Sequence, residues 1–342
     1  MNLLKKIIYK SKHKPGVAIT IFFVIIMAVS LLFYALTPID DRNILSIVDI
    51  PKGTSFFQSV DLLEKAGLIK NKHMFYLLVI SKNAHRHLRA GEYEFSTSMS
   101  PLTILNKLIR GEIKCYRVTI PEDFTAREIV ARLVSFRLID EKTFMNLATD
   151  RKFLRSLEIQ SPFIEGYLYP DTYLLDRSMT TKDIIKIMVD RFWKSITPDM
   201  HKRAAELGMS IPEIVTLASI IGKESCYGSE KTLISAVFHN RLKKGMKLQS
   251  DPTAIYDLES FTGTVKRSHL KRATPYNTYV ITGLPPTPIA NPAIDSLHAA
   301  LYPAPVNYLY FVSNKNGSHQ FSSTLKAHNT AILRYQIKSK KE

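Results

Sequence analysis

The chain has 342 residues, 45% of them hydrophobic and 23% charged, so it can pack two or more domains and is not dominated by disorder. Its formal net charge of +17 would suit nucleic acid, but an exported location argues against that partner, and the surplus is compatible with anionic lipid headgroups or an acidic cell-wall polymer. Cys115 and Cys226 are too few for a disulfide scaffold and read as two unpaired, partly buried thiols.

Residues 1–15 form a basic segment with Lys5, Lys6, Lys10, Lys12 and Lys14. From Gly16 to Leu36 only Thr20, Ser30 and the Tyr34 hydroxyl interrupt an apolar run, and about 20 such residues in a helix cross a hydrocarbon core. A transmembrane helix is therefore expected over 16–38. A cleaved signal would have an apolar region of about 7–15 residues and a small-residue cleavage site, which Thr37-Pro38-Ile39-Asp40-Asp41 lacks. Lysines before the span and Asp40 and Asp41 after it put the N-terminus in the cytoplasm and the remainder outside.

Residues 48–75 and 118–144 resemble each other at a constant offset of 70: Val48-Asp49-Ile50-Pro51 matches Val118-Thr119-Ile120-Pro121, and Leu68-Ile69 matches Leu138-Ile139. Each copy reads as a strand, a polar turn and an amphipathic helix. Behind each comes a Gly-aromatic strand and another helix: Gly91-Glu92-Tyr93-Glu94-Phe95 then Pro101 to Ile109, and Gly166-Tyr167-Leu168-Tyr169 then Thr181 to Phe192. Such units pack as α+β modules, which either position the rest of the protein or offer a binding groove. In the second copy Pro170-Asp171 fits a turn, and Tyr167, Tyr169 and Tyr173 are either half-buried core or stacking platforms for sugars.

Ser210-Ile211-Pro212-Glu213 has capping-box spacing, so a helix starts there, with Ile214, Leu217, Ala218 and Ile221 as its buried stripe. Glu224 extends that stripe. A carboxylate held against apolar surface has its charged form penalised and its pKa raised, which suits a general acid; a frayed end at Gly222 and Ser225 would instead let it swing into water. A second helix, capped by Ser229, runs through Leu233, Val237 and Phe238 to Gly245. Asn240 and Arg241 lie near its C-terminal end, where the helix dipole alone favours a cation. Leu248-Gln249-Ser250-Asp251-Pro252-Thr253-Ala254-Ile255-Tyr256 is a polar turn before an apolar stretch; Asp251-Pro252 either caps a helix or walls a sugar site. Tyr276-Asn277-Thr278-Tyr279 and Gly283-Leu284-Pro285-Pro286 form a proline-rich, preorganised loop. Asn291-Pro292 reads as the start of a helix to Leu301, and Tyr308 to Val312 with His319 to Phe321 as a hairpin. His319 and His328 read as structural, since neither has further ligands at metal-site spacing.

The single N-terminal span, Glu165-Gly166-Tyr167-Leu168-Tyr169-Pro170-Asp171-Thr172-Tyr173, Leu217-Ala218-Ser219-Ile220-Ile221 followed by Lys223-Glu224, Phe238 to Leu242, Leu248 to Tyr256, and the two loop motifs stand together in one order. In that combination the chain resembles the endolytic murein transglycosylases of MltG/YceG type. The resemblance implies an α+β protein: one N-terminal transmembrane helix, a membrane-proximal LysM-like module over 43–115, a catalytic domain over 116–336 with the repeated unit at 118–192 and the active site in 210–336, and a basic tail at 337–342. It implies lytic cleavage after N-acetylmuramic acid, leaving a 1,6-anhydro end, with Glu224 at the family's catalytic glutamate and no cofactor or metal. Asn240, Arg241, Gln249, Asp251, Thr253, Tyr276, Asn277, Thr278, Tyr279, Glu165, Tyr169 and Asp171 are the expected substrate-binding residues. Peptidoglycan strands are the implied partner, with peptidoglycan synthases as protein partners and a single-pass setting in a bacterial inner membrane, the catalytic domain periplasmic. One departure stands out: the family commonly has Glu-Lys-Glu where this chain has Gly222-Lys223-Glu224. The competing readings are a non-catalytic glycan-binding scaffold and a hydrolase pairing Glu224 with Asp251 or Glu230.

Overall fold

In a computed structural model, which describes residues 15–83, 89–224, 228–258, 261 and 263–337, the apolar run forms α1 (Pro15–Leu36). It is long and apolar enough to cross a membrane. The five lysines ahead of it, Cys226, and the basic tail from Lys338 lie outside the described residues.

The chain divides into two compact units, one reaching to Tyr116 with Asp176–Ser178, the other holding Arg117–Leu175 and everything from Met179. In the first, β1 (Leu45–Ile50) is followed by α2 (Phe56–Lys65), α3 (Lys72–Ser81), β2 (Gly91–Ser96) and α4 (Pro101–Arg110). The strands pair antiparallel with Val48 opposite Tyr93. Alternation along β1 buries Val48 and Ile50, which pack with Val60, Leu63, Phe75, Tyr93, Phe95, Ile104 and Leu108. Burial of each such side chain contributes about 1.5–3 kcal/mol. Ala35 belongs to this core, Leu31 and Tyr34 pack on it, and the Tyr34 hydroxyl donates to the Asn71 carbonyl at 3.0 Å. The last turns of the apolar helix are thus fastened to the module.

The second unit repeats that order: β3 (Tyr116–Thr119), α5 (Ala126–Ser135), α6 (Glu141–Thr149), a short α7 (Arg151–Ser156), β4 (Thr172–Leu175) and α8 (Thr181–Ser195). Matching capping boxes start the first helix of each copy, Ser55 with Gln58 and Thr125 with Glu128, so the duplicated sequence has a duplicated local cause. In the second copy the strand lies at Thr172–Leu175, not at the Gly166–Tyr169 expected from sequence. The earlier segment bends at Gly166, φ +93°, where a Cβ would meet Pro288 Cγ at 2.4 Å. Its backbone amides are taken by a side chain: Gly166 N–H and Leu168 N–H both donate to Asn291 Oδ1 at 2.9 Å.

Beyond the repeat come α9 (Pro198–Glu206), α10 (Ile211–Glu224), α11 (Lys231–Lys243), the short α12 (Asp251–Ile255) and α13 (Arg267–Leu270), α14 (Ile294–Leu301), the antiparallel pair β5 (Tyr310–Ser313) and β6 (His319–Ser322), and α15 (Leu325–Ile332). The architecture is α+β. Helix α10 is the centre of this unit and packs on α14, α11 and α12. Its residues from Ile214 to Gly222 are all buried, so the apolar stripe widens to a whole helix surface.

Three further expectations are corrected. Ser229 does not cap α11: Gly228–Glu230 is a 3₁₀ turn, and the helix starts at Lys231 without a side-chain cap. Asn291 does not begin α14, which starts at Ile294, because its amide is fully engaged elsewhere. Cys115 is a free thiol but exposed, since it sits in the short connection before β3.

Candidate functional site

The Ser210 hydroxyl accepts from Glu213 N–H, and Glu213 Oε2 accepts from Ser210 N–H at 2.8 Å, which fixes the start of α10. Its length then decides where Glu224 falls, as the last residue of a helix whose preceding turns are buried. Glu224 is partly buried and lines a cavity. The surrounding protein still displaces enough water to push its pKa up to about 7; the Ser250 hydroxyl, the Asp251 N–H and the Arg241 charge oppose that rise, while the Asp251 charge adds to it.

The Ser250 hydroxyl donates to Glu224 Oε1 at 2.5 Å. Ser250 is held from behind, its N–H donating to Thr278 Oγ1 at 3.0 Å and its carbonyl accepting from the Thr253 hydroxyl at 2.6 Å. Gln249 reaches this turn with φ +52°, and its N–H donates to the Thr278 carbonyl at 3.1 Å. The loop at 276–279 is therefore the mould in which the 249–253 turn is cast.

The opposite wall is organised by Arg241. Its Nε donates to the Leu309 carbonyl at 2.7 Å, and its Nη1 to the Leu248 carbonyl at 2.8 Å and Gln249 Oε1 at 3.3 Å. The guanidinium also lies 5.3 Å from the Tyr310 ring centre. One buried cation thereby ties strand β5 to the 247–249 segment. The cavity between them has a volume of about 580 Å³ and is lined by Glu224, Arg241, Gln249, Asp251 and Tyr279, with Phe311, His319 and His328 from the hairpin side. The Tyr279 hydroxyl donates to Asp251 Oδ1 at 2.6 Å, fixing that carboxylate at the rim.

Of the residues expected to bind substrate, Arg241, Gln249, Asp251 and Tyr279 share this cavity with Glu224. Thr253 and Thr278 are fully buried and bond each other at 2.8 Å. Asn277 is fully buried too, its amide nitrogen donating to the Arg272 carbonyl at 2.8 Å and the Leu270 carbonyl at 3.1 Å. Asn240 donates to the carbonyls of Val306 and Tyr308, each at 2.9 Å. These four shape loops, and none of them lines the cavity.

Tyr276 and Glu165 line a neighbouring cavity of about 580 Å³ on the far side of α12, with Lys223, Pro252 and Tyr256. Glu165 is 1% exposed and accepts from Ala126 N–H at 2.8 Å, the Asn291 amide at 2.6 Å and the Tyr256 hydroxyl at 2.9 Å. Burial lifts its pKa to about 7 against those three donors. It knots three segments and presents no open oxygen. Tyr169 is buried with Arg191 over its ring at 5.3 Å, and Asp171 pairs with that same Arg191 at 2.7 Å; neither lines either cavity. Sequence reasoning missed Ser250 as the partner of Glu224, and it missed that His319 and His328 face the cavity.

Residues 48–334 match the YceG-like family. An endolytic murein transglycosylase of Bacillus subtilis is 33% identical over 314 residues, covering 86% of this chain and 86% of that protein. One from Streptococcus pneumoniae strain D39 is 28% identical over 82% of this chain and 56% of its own length. Among solved structures, a 2.6 Å crystal structure of a yceG-like protein from Listeria monocytogenes superposes with a TM-score of 0.59 at 33% identity, covering 85% of this chain and all of that one.

Proposed function

Because the chain belongs to the YceG-like family, we propose that it is an endolytic murein transglycosylase in which Glu224 carries the proton transfers. The observation that carries this reading is the place of the Glu224 carboxyl, on a cavity wall at the end of a buried helix, with one oxygen committed to Ser250 and burial pushing its pKa up to about 7.

The reaction needs one acid. Protonated Glu224 gives its proton to the bridging oxygen as the C1–oxygen bond of N-acetylmuramic acid breaks. The carboxylate then removes the proton from the sugar's own 6-hydroxyl, whose oxygen closes on C1 to give the 1,6-anhydro ring. The proton returns to Glu224 and no water is consumed. A hydrolytic glycosidase would instead need a second carboxylate to activate water or attack C1. Positive charge developing at C1 is met by the ionised Glu224 and the Asp251 carboxylate at the rim, while Gln249, Arg241 and Tyr279 supply hydrogen bonds to hydroxyl and acetamido groups.

Asp251 is also the residue that favours the hydrolytic alternative, since it lines the same cavity. Digestion of purified sacculi in labelled water separates the two. Anhydro ends without label support the lytic reading, solvent oxygen at a new reducing end supports hydrolysis, and no cleavage supports a scaffold. Retained anhydro product in a Glu224→Gln variant would remove Glu224 from the mechanism.

The β1–α4 module, with two helices between its paired strands, is read as LysM-like and as a second contact with the glycan. Helix α1 is the anchor, with the lysine-rich N-terminus in the cytoplasm and both units outside the bacterial inner membrane. A fusion reporter at each terminus tests that orientation.

A further inference from the structure

Helix α10 carries a glycine one half-turn before Glu224, and interior glycine is a poor helix former. What makes it necessary comes from far away in sequence. A Cβ at Gly222 would lie 1.9 Å from Asp123 Oδ1, 2.5 Å from its Cγ and 2.8 Å from its Oδ2. Any side chain at 222 therefore collides with the whole carboxylate. Asp123 cannot easily withdraw, because its N–H donates to the Asn291 carbonyl at 3.0 Å and its backbone is already left-handed, φ +58°. Two locally unfavourable choices, a glycine within a helix and a non-glycine residue at positive φ, have one joint effect. They put an acid against the backbone of the last turn of α10.

That acid does more than fill space. Asp123 Oδ1 is buried with no hydrogen-bond partner among the described residues. Burial pushes the carboxyl up to about 6, with the Lys231 charge opposing. Lys231, the buried first residue of α11, sits 2.7 Å from Asp295 Oδ2 and 3.7 Å from Glu122 Oε2. Asp295 belongs to α14, which packs on α10. The Asp123 carboxylate thus lies where the end of α10 and the starts of α11 and α14 meet, within the field of the lysine that joins them. A packing role alone would be met by a small neutral side chain.

We propose that Asp123 is a positioning residue for Glu224: in reciprocal exchange with Gly222, the loop before α5 supplies the carboxylate that braces the last turn of α10, and only one of the two positions can carry it. Glycine at 222 is then the space that the Asp123 carboxylate occupies. The proposal rests on Glu224 being the acid, and its test moves the carboxylate from one backbone to the other.

Rates on purified sacculi and melting temperatures are measured for the full-length protein. Asp123→Gly is expected to stay folded and to lose roughly tenfold in kcat with KM little changed. Gly222→Ala is expected to lose activity and melt lower, because its methyl meets Asp123. In the Asp123→Gly background, Gly222→Glu returns the carboxylate from the helix and is expected to recover activity to within about threefold of wild type. Gly222→Gln in the same background fills the same space without charge and stays low. Wild-type kcat in Asp123→Gly, or equal rescue by glutamine and glutamate, would overturn the proposal. Should Glu224→Gln remain active, the acid assignment fails on its own; the stability coupling between positions 123 and 222 still reports whether the exchange is real.

Discussion

The Ser250 hydroxyl points at Glu224 Oε1, 2.5 Å away, and in doing so leaves α12, the helix it precedes, without a side-chain cap. A serine at this position would ordinarily accept from the helix's own N–H groups, which contributes about 1 kcal/mol. Here that stabilisation is given up to hold a carboxylate. Ser250→Ala is expected to cost little stability but to raise the pKa of Glu224 further, since the hydroxyl stabilises the ionised form. The alkaline limb of the kcat profile should then move to higher pH, and an unmoved limb would show that the bond does not act on the reacting group.

Glu224→Gln is expected to lower the rate of anhydro product formation by about 10²–10⁴-fold, the usual contribution of a positioned general acid. Chromatography of muropeptides released from sacculi checks it. The far-UV spectrum should be unchanged, because glutamine can still accept the Ser250 hydroxyl.

The same substitution has a stability signature with a defined sign. Glu224 in the folded chain holds its proton to about pH 7 against an ordinary 4.5, so the native state binds that proton more tightly than the unfolded chain. Its contribution to stability is intact below pH 4.5 and is lost as pH rises through about 7. Glutamine has no proton to lose. The variant should melt above wild type at about pH 8 and draw level at about pH 4.5; parallel melting curves across that range would mean the carboxyl is not desolvated.

Asn291 joins four groups: it accepts from Gly166 N–H and Leu168 N–H and donates to Glu165 and the Phe124 carbonyl. Replacing it with alanine strands several buried polar groups at once and is expected to cost roughly 3 kcal/mol. Urea unfolding monitored by Trp193 fluorescence reads this directly, and a loss under about 1 kcal/mol would mean water restores the network.

Arg241→Lys should behave as a severe change, because an ammonium cannot span the Leu309 and Leu248 carbonyls and Gln249 together. A rise in KM with a smaller fall in kcat is expected, since the cavity wall loosens while Glu224 keeps Ser250. Steady-state kinetics on a soluble glycan fragment would check it.

What the sequence made legible was local in origin. The apolar span, the strand-helix unit duplicated at a constant offset, the capping box and stripe of α10 and the terminal hairpin are each written within a few residues. So was Glu224, whose place on an apolar stripe follows from helical spacing alone. What stayed hidden depends on partners brought together by folding. Nothing near Ser250 marks it as facing a carboxylate 26 residues earlier, and nothing near Asn291 reveals that its amide serves Glu165, 126 residues away. Polar loop residues such as Asn277 and Thr278 look like ligand contacts in sequence because a motif dense in donors looks the same whether it faces a sugar or its own backbone. The strand of the second repeat was misplaced for a related reason: a side chain, not a neighbouring strand, satisfies the amides at Gly166 and Leu168.

Since Leu31, Tyr34 and Ala35 are shared between the apolar helix and the core of the first module, that helix is not a slack leash. A leash would let the module drift through a range of heights above the bilayer. With α1 as the proposed anchor, a docked helix fixes the module's altitude and so limits its reach to a single layer of whatever polymer lies outside the lipid.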